Sequence, residues 1–174
     1  MTTITQADSL EIHCGYLPGA IGRIAEMHAL YYSRAVGFGQ YFESKVASGL
    51  AEFTGRLERP CNGLWLALQD GKIAGSIAID GEDSGENIAH LRWFILSDQI
   101  RGSGFGRKLL SDAIRFCDQQ QFTETHLWTF SGLDAARKLY EAEGFSLAQQ
   151  YTASQWGKEM IEQRFVRPRT PEQA

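Results

Sequence analysis

The feature that most constrains this chain is IAHLRWFIL at residues 88–96, followed after SDQI by RGSGFG and then RKLLSDAIRFC. The first segment is rich in branched and aromatic residues and predicts a long strand over 88–97. Beyond the loop, Gly106, Leu109, Leu110, Ala113, Ile114 and Cys117 keep three-and-four spacing, which predicts an amphipathic helix. A strand that enters a helix through a glycine loop, with THLWTF as the next strand, is a β-α-β unit.

The flanking sequence supplies the rest of the sheet. SLEIHCGY at 9–16 predicts a first strand ending near Leu17-Pro18-Gly19. Ile21, Ile24, Ala25 and His28 share one helical face. Val36-Gly37-Phe38-Gly39 interrupts that helix, and a second is expected over 40–56. LWLALQ, Asp70-Gly71 and KIAGSIAID form a hairpin, because Asp-Gly tolerates the positive φ of a two-residue turn. Residues 133–143 form a helix with Gly144 at its C-terminal cap. FSLAQQYT and EMIEQRFV are the last strands, and RPRTPEQA reads as a frayed tail. The expected fold is α/β: one domain over 1–174, core about 9–167, with a mixed, mostly antiparallel sheet of about seven strands around a central β-α-β unit.

Composition narrows function only by exclusion. A chain of 174 residues with 43% hydrophobic and 22% charged residues suits one globular domain. Its net charge of −4 argues against a nucleic-acid partner, whose binding needs a basic surface. No apolar run of membrane-spanning length occurs, and MTTITQADSLEIH lacks the basic start and apolar centre of a leader, so a cytoplasmic location is expected. Cys14, Cys61 and Cys117 suggest neither a disulfide framework nor a zinc motif, and the four histidines show no metal-binding spacing. No metal is expected.

The glycine loop fits none of three familiar phosphate patterns. Started at Gly102, GxGxxG places Arg107 where the third glycine belongs. Gly106 is followed by Arg107-Lys108-Leu109, not by the Lys-Ser/Thr close of a P-loop. A kinase loop lies in a hairpin, whereas this one opens a helix. What remains is R-x-x-G-x-G at a helix start, where unpaired amides and the positive end of the macrodipole attract anions. Gly102, Gly104 and Gly106 allow a bulky anion to approach the backbone, and Arg101 and Arg107 add charge. A tight turn explains the same glycines, and the loop alone does not decide between the two.

Arg101-Gly102-Ser103-Gly104-Phe105-Gly106 resembles the acetyl-CoA motif of the GCN5-related N-acetyltransferase (GNAT) family. AARKLYEAEGF at 135–145 resembles that family's A-x-x-L-Y-x-x-x-G-F segment, in the right order and separation. LRWFIL, LWTFSGLDAARKLYEAEGF, QWGKEMIEQRF and PGAIGRIAEMHALYY are similar to the acetyltransferase half of proteins that fuse a MarR-type DNA-binding domain to this fold, and a stand-alone acetyltransferase half, without the DNA-binding one, is expected.

The resemblance implies a splayed cofactor site in the middle of the sheet and direct transfer from acetyl-CoA to a primary amine on a small molecule or peptide. Ile95 and Leu96 would offer main-chain contacts, and Arg101, Gly102, Ser103, Gly104, Phe105, Gly106 and Arg107 would seat the diphosphate. Tyr140 would be the general acid; on geometry alone it lies about 100° round the helix from Leu139, an edge position that suits packing as well as a cleft. His90 is the preferred base over Glu124 and His126, because it shares the strand leading into the loop. Alternation puts Arg92 on the face of His90 and Trp93 on the opposite face, unless a bulge intervenes. Tyr31, Tyr32 and Trp156, with Phe38 and Tyr41 as further aromatic residues, are the expected acceptor wall. Leu133 stands where many family members carry Asn, with Ser131 or Asp134 as substitutes, while Asp98 and Ile100 replace the usual proline and aromatic. An acyl-CoA sensor without catalysis is the alternative function, and dimers are common among proteins that resemble this one.

Overall fold

The structure, a computed structural model, describes residues 9–171. Most of the segment read for a leader (1–8) and the end of the tail (172–174) lie outside it. The order is β1 (Leu10–Cys14), α1 (Ala20–Val36), α2 (Gln40–Thr54), β2 (Gly63–Gln69), β3 (Lys72–Asp80), β4 (Ile88–Leu96), α3 (Phe105–Gln119), β5 (Glu124–Phe130), α4 (Asp134–Ala142), β6 (Ser146–Ala153) and β7 (Met160–Pro168). The seven strands form one sheet in the order β1-β2-β3-β4-β5-β7-β6, and only β4 and β5 run parallel.

The sheet separates two cores. On one face α3 and α4 cover Trp65, Ile77, Ile79, Leu91 and Leu127; on the other, α1 and α2 cover Leu64, Leu66, Ala78, Ile95 and Phe130. The alternation within β2 and β3 explains this, since neighbouring side chains feed opposite layers. The hairpin turn is as expected, with Asp70 at φ 51° and Gly71 at φ 78°. Helix α1 runs four residues beyond Tyr32 before Gly37, at φ 76°, ends it.

The expected frayed tail is corrected at its start. Arg167 is buried: Nη1 and Nη2 donate to Asp118 at 2.8 and 3.1 Å, and Nε donates to the Glu143 carbonyl at 2.8 Å. The Arg169 amide donates to the Thr123 carbonyl, so the chain stays pinned past β7.

Below α2 lies an ion cluster. Arg56 donates to Glu52, to the fully buried Asp80 and to Glu82, which also takes bonds from Asn62 and Arg59. Burial pushes the Asp80 carboxyl up, but the bonds from Arg56 and the Glu82 amide outweigh it and leave it lowered. Bonds from Asn62, Arg56 and Arg59 hold Glu82 at about 2. On α1, burial lowers His28 to about 4. Each shift makes the unfolded chain the better proton acceptor, so each stabilising contribution weakens with acid. That of His28, on the order of 3 kcal/mol, is complete above its ordinary pKa of about 6.5 and lost as pH falls to about 4. Those of the carboxylates are lost from about pH 4.5 downward. Calorimetry should show a flat melting temperature above pH 7 and a fall in two stages below it. His28→Gln should remove the upper stage.

Candidate active site

The site follows from one local failure of pairing. β4 and β5 are in register only at Ile88–His90 against Glu124–His126, after which the strands separate. Backbone groups on that edge of β4 from Leu91 onward therefore have no strand partner. A bulge in β4 helps to produce the divergence: Ala78 pairs with Arg92 but Ser76 with Ile95, so β4 carries one extra residue. It falls at Trp93, whose φ of 48° is in the left-handed region, a conformation that costs roughly 1–3 kcal/mol. The fully buried Ser76 compensates by donating from Oγ to the Trp93 carbonyl at 2.7 Å. Ser76→Ala should therefore lose about 1–3 kcal/mol, read as a fall of several degrees in melting temperature.

The bulge also corrects simple alternation. Trp93 packs into the α1–α2 layer, on the same face as Arg92, and the Arg92 guanidinium lies 4.0 Å from its ring centroid. Phe94 and Leu96 then face α3 and α4.

Two cavities flank the divergence. A slot of about 410 Å³ is lined by Tyr31, Phe94, Ile95, Leu96, Arg101, Leu133, Leu139 and the start of α4. A second cavity, about 200 Å³, is lined on the α1–α2 side by His28, Lys45, His90, Arg92, Trp128 and Trp156 among others. Tyr32, Phe94 and Tyr140 line both, so they form the partition.

At the head of the slot the glycine loop has the form an anion seat requires. Gly102 and Gly104 sit at φ 82° and 89°, with open space where a side chain would start. Among the described residues, the amides of Gly102, Gly104, Gly106 and Arg107 have no backbone partner. Gly106 has a different reason to be glycine: a Cβ there would lie 3.0 Å from Leu96 Cδ1. Arg107 is exposed at the helix start. Arg101 instead folds back, donating to Asp98 at 2.6 Å and to the Leu96 carbonyl at 2.7 Å, and it lies over the Tyr31 ring. It braces the loop against β4 and occupies the Leu96 carbonyl. Ser103 Oγ turns inward to the Ile100 carbonyl, and Phe105 packs on the core.

Tyr140 is the one residue of α4 that is buried, which corrects its expected edge position. Phe94, Phe145 and Phe165 surround its ring at 6.0–6.3 Å. Burial, reinforced by Tyr32, raises its pKa, so the phenol keeps its proton throughout the physiological range. Burial likewise raises Tyr32 to about 12.

Of the three base candidates, the structure brings only His90 to the second cavity, with Nδ1 2.8 Å from Asp83 Oδ2. His126 is engaged at both ring nitrogens, by Glu124 at 2.6 Å and by Arg164 at 3.4 Å. The acceptor-wall expectation divides. Trp156 lines the second cavity and Tyr32 the partition, but Tyr31 lines the slot; Phe38 is buried in packing and Tyr41 is exposed. Spacing alone assigns His28 to an apolar stripe, yet it lines the second cavity with Nδ1 bonded to the Ile24 carbonyl at 2.8 Å. Its i,i+4 spacing from Tyr32 was the available signal. Leu133 lines the slot with an apolar wall, Asp134 beside it. Among the described residues no group of His, Cys, Asp or Glu is placed to hold a metal, and no helix is long and apolar enough to cross a membrane.

The model of the Acetyltransferase (GNAT) family matches residues 23–145, well over half of the chain. The chain belongs to the GNAT acetyltransferase family. Among curated relatives, N-acetylaspartate synthetase from Xenopus tropicalis is 27% identical over 116 residues, covering 66% of this chain and 42% of its own. The Homo sapiens protein of the same name is 28% identical over 116 residues, 66% of this chain and 38% of its own. The chain thus spans about two fifths of these relatives. Solved structures share the fold at lower identity. An acetyltransferase structure from Salmonella typhimurium with its cofactor acetyl-CoA has a TM-score of 0.72 at 14% identity, covering 95% of this chain and 99% of that one. A ribosomal-protein-alanine N-acetyltransferase from Brucella melitensis has a TM-score of 0.73 at 13% identity, covering 91% and 99%. In this GNAT sheet, β4 beyond its pairing with β5 lines both cavities, and Arg101 at the start of the loop lines the slot.

Proposed function

We propose that this protein is an N-acetyltransferase that moves the acetyl group of acetyl-CoA directly to a primary amine. The observation that carries the reading is the partition: Tyr140 lines both the slot below the glycine loop and the second cavity. A substrate in one can therefore react with a substrate in the other without a carrier on the protein. The free amides of the loop and the exposed Arg107 suit a diphosphate, and the unpaired edge of β4 suits the amide-bearing arm of coenzyme A.

Acetyl-CoA supplies an activated thioester. The protein's own residues hold and move protons around it. His90, donating from Nδ1–H to Asp83, keeps Nε2 as an acceptor for the amine's proton. A free main-chain amide on the β4 edge stabilises the charge that develops on the carbonyl oxygen. Tyr140 Oη donates its proton to the departing thiolate and regains one from the pool that the amine has supplied. The net change is one proton moved from amine to thiol.

The likeness of four segments to the acetyltransferase half of MarR fusions supports the same reading. Cys14, Cys61 and Cys117 are all free, which suits a reducing cytoplasm. The test is steady-state release of CoA thiol across an amine panel, with mass spectrometry of the product. Amine-dependent release with a matching N-acetyl product is expected. Tight CoA binding with no turnover on any amine or peptide would make the chain an acyl-CoA-binding module instead.

A further inference from the structure

We infer that the acceptor is an amine that also carries a carboxylate, held in the second cavity by Arg92 and Lys45; this rests on the acetyltransferase reading above. The cavity, at about 200 Å³, has the volume of roughly seven waters and opens to solvent, so a molecule of amino-acid size fits it. Its ionisable lining is Lys45, Arg92, His28, His90, Tyr32 and Tyr140, with no Asp or Glu among the described residues.

The nearby carboxylates make their shortest bonds to groups other than Arg92 and Lys45. Asp80 takes its two short bonds, 2.7 and 2.5 Å, from Arg56. Asp83 holds His90, Glu162 holds Gln155 through both its backbone and side-chain nitrogens, and Glu124 holds His126. Arg92 reaches Asp80 and Asp83 only through Nη1, at 3.2 and 3.3 Å. Its Nε–Nη2 edge, the fork that matches a carboxylate, has no protein hydrogen bond among the described residues. The guanidinium lies over the Trp93 ring, and Gly49 lets α2 pass close: a Cβ there would lie 3.2 Å from Nη2 and 3.0 Å from the Trp93 ring. Lys45 makes one bond, to the Gln155 carbonyl at 2.6 Å, and keeps two donors.

A second observation disfavours an acceptor that carries a second positive charge in place of the carboxylate. Aromatic walls attract cations through their faces. Here Arg92 covers Trp93 and Arg164 covers Trp128, so two of the three tryptophans lining the cavity already carry a cation. A diamine would meet occupied faces and two like charges. His28, neutral at pH 7 with Nδ1 committed to a carbonyl, presents Nε2 as an acceptor for an amine N–H.

The experiment compares α-amino acids with the amines formed from them by removal of the carboxylate, using kcat/KM for turnover. Calorimetry on CoA-saturated protein measures binding of each compound. At least one amino acid should exceed its decarboxylated counterpart by roughly thirtyfold or more, and Lys45→Met and Arg92→Gln should each reduce that preference about tenfold. Both variants should bind acetyl-CoA as the parent does. Lys45 is exposed, so its variant tests the idea even if loss of Arg92 beside buried Asp80 disturbs folding. Equal use of decarboxylated amines overturns the inference, as does acetyl-CoA binding with neither turnover nor binding of any amino acid. Failure of the parent protein to bind acetyl-CoA overturns the acetyltransferase reading itself, and this inference with it.

Discussion

Tyr140→Phe is expected to lower kcat about a hundredfold while leaving acetyl-CoA affinity within twofold of the parent. The substitution removes one oxygen and keeps the ring that Phe94, Phe145 and Phe165 enclose, so packing and melting temperature should hardly change. The pH profile separates a proton donor from a structural phenol. Because burial raises the Tyr140 pKa, its protonated form persists above the ordinary tyrosine range, and kcat of the parent should show no falling limb below about pH 10. The rising limb belongs to the groups that must lose a proton, the amine and its base. An unchanged kcat for the Phe variant across that range would remove Tyr140 from the mechanism.

The second large effect is expected at the glycine loop. At Gly104, with φ 89°, an added Cβ meets nothing within 4 Å, so the penalty for Gly104→Ala is backbone strain and not a clash. A left-handed alanine costs about 1–2 kcal/mol, which the free protein escapes by relaxing the loop and must meet again on binding. Acetyl-CoA affinity should fall roughly five- to thirtyfold by calorimetry, with kcat at saturation retained. Gly106→Ala is the contrasting variant. Its Cβ would press on Leu96 Cδ1 at 3.0 Å inside the core, so it should lower the melting temperature as well. Equal affinities for parent and Gly104→Ala would mean that the loop is a turn and nothing more.

What the sequence made legible was local in origin. Asp70-Gly71 specified its turn, the spacing from Gly106 to Cys117 specified α3, and the glycines at 102 and 104 specified positive φ. What it hid depends on contacts between distant residues. The Trp93 bulge is held by Ser76, seventeen residues away, and it reverses the face that alternation assigns. Tyr31 and Tyr32 are neighbours in sequence, yet the packing of α1 sends them to different cavities: Tyr31 lines only the slot, and Tyr32 the partition. Arg101, read as charge for an anion, is drawn back by Asp98 and the Leu96 carbonyl. Tyr140 shows both sides. Its motif marked it from sequence, but its burial arises from Phe94, Phe145 and Phe165 on three separate segments.

The most direct measurement is a crystal structure of the protein with acetyl-CoA. The expected result is a diphosphate on the amides of residues 102–107, the arm along the unpaired edge of β4, and the thioester sulfur within hydrogen-bond reach of Tyr140 Oη. Acetyl-CoA bound with its thioester away from the Tyr32–Phe94–Tyr140 partition, or with its diphosphate off the glycine loop, would contradict the proposed transfer site.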